Sequence, residues 1–325
     1  MNKFLIGISC FVTSLSFGQF APPAGQLGST AIHKDSSIIV GWANEVISFN
    51  PGPQDISETG SPLADFGVPG DAANYAEGNS TDVVSLGDGG EIVLGFHYPI
   101  QNGPGPDFAV FENAFDDTFL ELAHVEVSTD GLSFVRIPST TLVPIAVQTG
   151  SFGSTDTKLI HNLAGKFRQG YGTPFDLEDV VDSVGINLDS INYIKIVDVV
   201  GSVSPVYGSF DQYGTPINDP FPTAFESGGF DLDGVGVIHA NGDYHLSLSE
   251  EERPLIYPNP VRDVLKIKNA DVESIRIYTI DGRLISETMD SQLDLGKLAI
   301  PDGIYLVSII SQGTKFSQKI LYRPN

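Results

Sequence analysis

Glycine and proline interrupt this chain too often for long helices to form: 35 Gly and 21 Pro fall among 325 residues. Gly leaves the backbone loose, and Pro removes a helix hydrogen bond. No stretch carries Ala, Leu, Glu and Lys at a helical period. Short alternating or apolar runs stand between turn residues instead, which is the pattern of strands. The strands read in this way are 36–47, 91–96, 108–111, 122–128, 133–137, 191–200 and 235–238. The sharpest local signal is 124–137, two alternating runs joined by Asp130-Gly131, a dipeptide that accepts the positive φ of a tight hairpin. This spacing predicts an all-β chain whose main part is a large jelly-roll-like β-sandwich. Residues 50–90 and 200–229 are long for plain connections, and loops of that size carry function or wrap one end of a sandwich.

The chain opens Met1-Asn2-Lys3, followed by an apolar run to Phe17 and then Gly18 and Gln19. The charge, the length and the small residues Ser16 and Gly18 are those of a secretory signal peptide over 1–18, with Gln19 as the mature start. An alternative makes Cys10 the acylated residue of a lipoprotein. Cys10 is the one cysteine, so a chain starting at Gln19 has no disulfide, thiol nucleophile or Cys-ligated metal.

Charge divides the remainder. Residues 19–252 hold 33 Asp and Glu against six Lys and Arg, whereas 253–325 hold eight against ten. A region at −27 repels nucleic acid and anionic lipid and leaves cations and neutral sugars as partners. The sign changes at Glu250-Glu251-Glu252-Arg253-Pro254, which reads as a linker. The organisation expected is a signal peptide at 1–18, an acidic sandwich at 19–249, a linker at 250–256 and a second domain at 257–325. No segment has the apolar length of a membrane span.

The acidic region lacks a Gly-x-Ser-x-Gly elbow, a His-Glu-x-x-His pair, a P-loop and a Gly-x-Gly-x-x-Gly turn. The histidines at 33, 97, 124, 161, 239 and 245 show no ligand spacing. Two segments, 107–113 and 228–234, place carboxylates in or beside otherwise apolar strands. Burying a carboxylate is costly unless a cation or several donors meet it. Asp107, Glu112, Asn113, Asp231 and Asp233 are therefore candidate oxygen ligands for Ca²⁺, although no EF-hand loop is present. Tyr75, Tyr171, Tyr207 and Tyr213, in turn-rich segments, are candidates for a sugar platform, whereas Trp42, in an apolar run, reads as core.

Two resemblances add to these readings. Tyr257-Pro258-Asn259-Pro260, the runs 264–267 and 274–283 with Asp281-Gly282-Arg283, Gly303-Ile304-Tyr305, and the closing run 315–321 together resemble the type A C-terminal sorting domain of the type IX secretion system of Bacteroidetes. Ile275, Ile277 and Thr279 alternate with Arg276 and Tyr278 ahead of Asp281-Gly282, so a small Ig-like β-sandwich is expected on pattern alone. The resemblance implies the type IX secretion machinery as a partner and a secreted or outer-surface location. The middle region, through 84–90, 107–113, 125–131, 194–198 and 229–233, resembles an uncharacterised family of bacterial cell-surface proteins. More distantly it resembles discoidin and galactose-binding jelly rolls, many of which bind glycans and carry structural Ca²⁺. The expectation is a non-catalytic binding module for a glycan or other surface ligand. The alternatives are a polysaccharide hydrolase drawing a carboxylate pair from Glu112, Glu121, Glu126 and Asp231, and a structural surface-layer component.

Overall fold

The computed structural model describes residues 20–242, 244, 254–268, 272–279, 283–311 and 314–324. The signal peptide with Cys10, residues 250–253 of the linker, and Asp281 and Gly282 lie outside the described residues.

Thirteen strands build the acidic region: β1 (Ile32–His33), β2 (Gly41–Trp42), β3 (Glu45–Asn50), β4 (Val84–Ser85), β5 (Glu91–Ile100), β6 (Phe108–Glu112), β7 (Ala123–Ser128), β8 (Val135–Arg136), β9 (Thr140–Thr141), β10 (Ile160–His161), β11 (Tyr171–Phe175), β12 (Ile191–Asp198) and β13 (Asp231–Val237). One antiparallel sheet has the order β3-β5-β12-β7-β8, and the other β1-β11-β6-β13-β2 with β4 also paired to β13. With the flanking β1, β2 and β3 set aside, the strands in chain order are β4 to β8 and β11 to β13. They alternate between the sheets except at β7 and β8, which pair with each other, and the first strand pairs with the last. This is jelly-roll connectivity, with β4-β13-β6-β11 facing β5-β12-β7-β8.

The core follows from period-two alternation. Val125 and Val127 of β7 and Ile194 and Ile196 of β12 point inward, against Phe108 and Val110 of β6 and Val235 and Val237 of β13. Lys195 points outward, with Glu126 at 3.4 Å and Glu91 at 3.8 Å. The β6–β13 sheet is covered on its other face as well, where Phe111 and Ala109 meet Ile32, Ile39 and a half-buried Trp42. Residues 50–90 contribute β4 to this sheet, and Ala76 packs in the same outer layer.

Two details differ from the sequence pattern. The run at 36–47 is divided between sheets, because β2 pairs with β13 whereas β3 pairs with β5. The turn after β7 is wider than a two-residue hairpin, since Val127 pairs with Val135. Gly131 has φ +73° there, and Asp130 Oδ1 accepts the N–H groups of Leu132 and Ser133 at 2.9 and 2.8 Å, an Asx-turn arrangement.

The C-terminal region is a sandwich with its own core. It comprises β14 (Leu255–Tyr257), β15 (Val264–Lys268), β16 (Val272–Thr279), β17 (Leu284–Thr288), β18 (Gln292–Asp294), β19 (Gly303–Ser311) and β20 (Thr314–Tyr322), in sheets β14-β15-β18 and β17-β16-β19-β20. Ile275, Ile277, Leu265, Val307 and Ile309 fill it, as the alternation predicts. β14 begins at Leu255, inside the linker as read from sequence. Tyr257 ends β14, and Pro258 and Pro260 flank Asn259, which clips this segment to β20: Nδ2 donates to the Lys319 carbonyl at 3.2 Å and Oδ1 accepts the Leu321 N–H at 2.9 Å. The Arg283 N–H donates to Thr279 Oγ1 at 3.1 Å, Gly303 opens β19, and Tyr305 OH donates to the Pro301 carbonyl at 2.7 Å.

Phe108 is fully buried and lies nearly parallel to Phe175, with ring centroids 5.4 Å apart. Phe108→Ala is expected to cost about 3–5 kcal/mol. Chemical denaturation of the full chain measures this; a loss below about 1 kcal/mol would mean that the layer between the sheets is not the core.

Candidate functional site

Strand direction sorts the acids picked from the sequence. Asp107 precedes β6 and Glu112 ends it, so the two lie at opposite ends of the sandwich. Buried Asp107 ties loops together: Oδ1 accepts the Gly103 N–H at 2.7 Å and contacts His239 Nδ1 at 2.8 Å, and Oδ2 accepts the Leu177 N–H at 2.7 Å. Asp233 is likewise engaged, accepting the N–H groups of Glu77 and Gly78, both at 2.8 Å, and burial pushes its carboxyl up to about 7.

The other three candidates come together. Glu112 is opposite Leu232 in the β6–β13 pairing, so Asn113 and Asp231 are neighbours at the strand ends. Asn113 Nδ2 donates to Asp231 Oδ2 at 3.0 Å, and Ser85 Oγ donates to Asp231 Oδ1. Glu112 is 1% exposed; its Oε2 accepts the Ala114 N–H at 2.8 Å, whereas Oε1 has no hydrogen-bond partner. Burial first, and then the charge of Asp231, hold Glu112 well above the usual carboxylate range.

Further acids line this same end. Asp198, at the end of β12, accepts the Phe230 N–H on Oδ1 at 2.7 Å and the Gly89 N–H on Oδ2 at 2.9 Å; burial and the charge of Asp88 push it up to about 8. Asp219 Oδ2 accepts the Leu122 N–H at 2.7 Å, and burial and then Asp198 raise it strongly. Glu121 is raised by burial and then by Asp231. Asp88, pushed up to about 6 by burial, accepts the Ile56 N–H at 2.8 Å. Among the described residues, no Lys, Arg or His lies within 4.0 Å of any of these six carboxylates (Asp88, Glu112, Glu121, Asp198, Asp219 and Asp231). No three acids or histidines among them converge on one point tightly enough to hold an ion by side chains alone.

Of the four carboxylates suggested for hydrolysis, Glu112, Glu121 and Asp231 are buried, so they form no open pair for a polysaccharide. Glu126 lies on the outer face of the opposite sheet, 2.8 Å from an Arg136 guanidinium nitrogen.

The tyrosines are dispersed. Tyr75 packs on Trp42 and hydrogen-bonds Lys34 and Asp35, and Tyr171 packs on His33 and under Arg168. Tyr207 and Tyr213 are exposed in the β12–β13 loop. A phenylalanine row occupies the loop end instead. Phe115, Phe119, Phe152 and Phe225 follow one another at centroid separations of 5.6, 6.3 and 5.7 Å, with ring planes 25° to 39° apart. Phe115, Phe152 and Phe225 are 68%, 76% and 47% exposed. The row spans three loops joined by main-chain bonds, Thr155 N–H to the Thr118 carbonyl at 2.7 Å and Phe221 N–H to the Thr149 carbonyl at 3.0 Å. Asp116 Oδ1 accepts the Thr118 and Phe119 N–H groups, and Arg168 pairs with Asp117 at 2.7 Å. The loops are thus fixed by polar contacts while their rings face solvent. Beside Phe225, residues Gln54, Phe66, Ala224, Glu226 and Ser227 line a shallow depression.

Comparison with known proteins identifies the tail. Residues 255–323 match the model of the secretion system C-terminal sorting domain. The chain is accordingly exported by type IX secretion, to the cell surface or beyond it. No curated protein matches the chain. Among solved structures, it is similar to PorZ, described as an essential bacterial surface component of the type IX secretion system of Porphyromonas gingivalis, at 18% identity and a TM-score of 0.20, over 28% of this chain and 14% of that one. It is also similar to the BSP domain of a biofilm-associated protein, at 10% identity and a TM-score of 0.18, over 73% of this chain and 49% of that one. The chain thus spans less than half of either structure. Among the described residues no helix is long and apolar enough to cross a membrane.

The acid cluster sets a pH dependence. A carboxyl whose folded pKa exceeds its unfolded value holds a proton that unfolding releases, so its stabilisation is complete below the ordinary Asp range and is lost as pH climbs through the raised value. For Asp198 that window runs from about 4 to about 8. With chelator present, the full chain should melt at a higher temperature at about pH 5.5 than at about pH 8.5, and Asp198→Asn should flatten the slope. A stability that does not fall over this range would show these acids to be already ionised in the fold.

Proposed function

We propose that the jelly roll is a non-catalytic binding module carried to the cell exterior by its sorting domain, and that the row Phe115–Phe119–Phe152–Phe225 is its platform for a neutral glycan. The observation that supports this most is the exposure of rings drawn from three loops that polar contacts already hold in place. Clustered exposed apolar surface of this kind marks a binding site. Chemistry narrows the occupant. With 33 acidic and six basic residues in 19–252, anionic polymers and anionic lipids are repelled. A neutral sugar presents apolar C–H faces that rings can cover while its hydroxyls reach the polar groups alongside, here Asp116, Thr118 and Ser151. The burial of Glu112, Glu121 and Asp231 favours binding over hydrolysis.

Two experiments test this reading. A glycan array probed with the full-length secreted protein should give neutral ligands, and Phe152→Ala and Phe225→Ala should each weaken binding roughly 2- to 10-fold, the effect of losing a ring contact worth about 0.5–1.5 kcal/mol, without changing the melting temperature. Undiminished binding by the double variant would move the site elsewhere, and release of shortened glycan would restore the hydrolase. For the tail, a chain ending at residue 254 should accumulate inside cells that carry the secretion system; wild-type export of that truncation would overturn the role of 255–323.

A further inference from the structure

Beneath the loops lies a pair of acids whose electrostatics are incomplete. Glu112 and Asp231 are both buried, on adjacent antiparallel strands, with Asn113 bridging to Asp231. Asp231 has donors on both oxygens, from Ser85 and Asn113, whereas Glu112 is met only by main-chain N–H groups, those of Ala114 and Asn113, and its Oε1 is buried without a hydrogen bond. Glu121, Asp198 and Asp219, all buried, lie near enough to the pair to feel its charge, with Asp88 next to Asp198 and Asp219, and no basic group lies within ion-pair distance of any of the six among the described residues. Like charges held together away from water must be neutralised, by a counter-charge or by taking up protons, and a carboxylate oxygen left buried and unpaired carries a penalty that either one relieves.

We propose that Glu112, Asn113 and Asp231 hold a hard divalent cation of the calcium class at this end of the sandwich. Glu112 Oε1 and Asp231 supply charge, and Asn113, whose Nδ2 is engaged by Asp231, offers Oδ1. Ca²⁺ takes six to eight oxygens in flexible geometry and accepts amide and main-chain carbonyl oxygens and water as well as carboxylates. A set with two carboxylates is therefore sufficient, and three converging acids are not required. Mg²⁺ demands near-ideal octahedral geometry and sheds its water reluctantly, so it suits a buried site of this kind poorly. The ion would sit where β6 enters the loop that carries Phe115 and Phe119, which couples its binding to the order of that loop. The proposal stands on the acids alone and holds whether or not the rings bind glycan.

The test uses the full chain, stripped with chelator and then given CaCl₂, MgCl₂, or NaCl at matched ionic strength, with melting and calorimetric titration as readouts. Calcium should raise the melting temperature by several degrees beyond the sodium control once it is in hundredfold excess over its Kd, with one ion bound per chain and a smaller response to magnesium. Glu112→Gln, nearly isosteric and one charge lighter, should lose the calcium-specific shift yet melt in chelator no lower than the wild type. Asp231→Asn provides a second variant with the same expected loss. Equal shifts with calcium and sodium would overturn the site, because screening alone would explain them. A calcium-specific shift surviving both substitutions would overturn this ligand set. A shared proton in place of the ion would also overturn it, and would appear as no calcium binding together with a gain in stability on acidification.

Discussion

The long loops of this jelly roll are held by carboxylates that accept main-chain N–H groups from segments distant in sequence. Asp198 joins Gly89 to Phe230, Asp219 fixes Leu122, Asp233 fixes Glu77 and Gly78, and Asp107 joins Gly103, Leu177 and His239. Loop backbone that is covered by other loops must find hydrogen-bond partners, and here acidic side chains supply them. A charged acceptor makes a stronger bond than a neutral one. The cost is the desolvation that raises these carboxyls, and it concentrates where the acids meet. The same choice of residue therefore orders the loops and builds up the negative charge at one end.

The sandwich determines where that charge falls. Jelly-roll pairing brings the starts of β5, β7 and β13 and the ends of β4, β6 and β12 to one edge, so residues 85–91, 112–123, 198–219 and 230–231 become neighbours. Phe115 and Phe119 lie in the β6–β7 connection and Phe225 in the β12–β13 connection at this edge, and Phe152 joins them from the β9–β10 loop. The phenyl row and the acid cluster are therefore layers of one structure, rings outside and carboxylates beneath.

Strands with simple inside–outside alternation were legible in the sequence. β5, β7 and β12 lie where their patterns put them, and so do the buried isoleucines of the sorting domain. β11 was not legible, because Gly172 and Pro174 interrupt it; the strand tolerates Pro174 because β1 pairs only with Tyr171 and Gly172, leaving the outer side at Pro174 without a partner strand. β4 is two residues within a loop-like segment, and only its pairing to β13 makes it a strand. The acids were visible in part. Glu112, Asn113 and Asp231 were identifiable because each stands in or beside an apolar run. Asp198 carries that same signal in Ile196-Val197-Asp198-Val199, whereas Asp88 and Asp219 sit among Gly, Asn and Pro, where an acid usually marks only a turn. The phenylalanine row had no signal, since its members come from three loops and meet only after folding.

The pairing of first strand with last has a kinetic side. β4 cannot find its neighbour until β13 exists, and Ser85 and Asp231 are 146 positions apart. At a synthesis rate of about 5–20 residues per second, β4 waits on the order of ten seconds for its partner to be made. Contacts of such long range also fold slowly once the chain is complete, because loop closure precedes any gain from pairing. Until β13 is made, the edges of β4 and β6 that it joins stand open, and since residues 255–323 follow it in the chain, the last strand of the sandwich is synthesised before the segment that marks the chain for export.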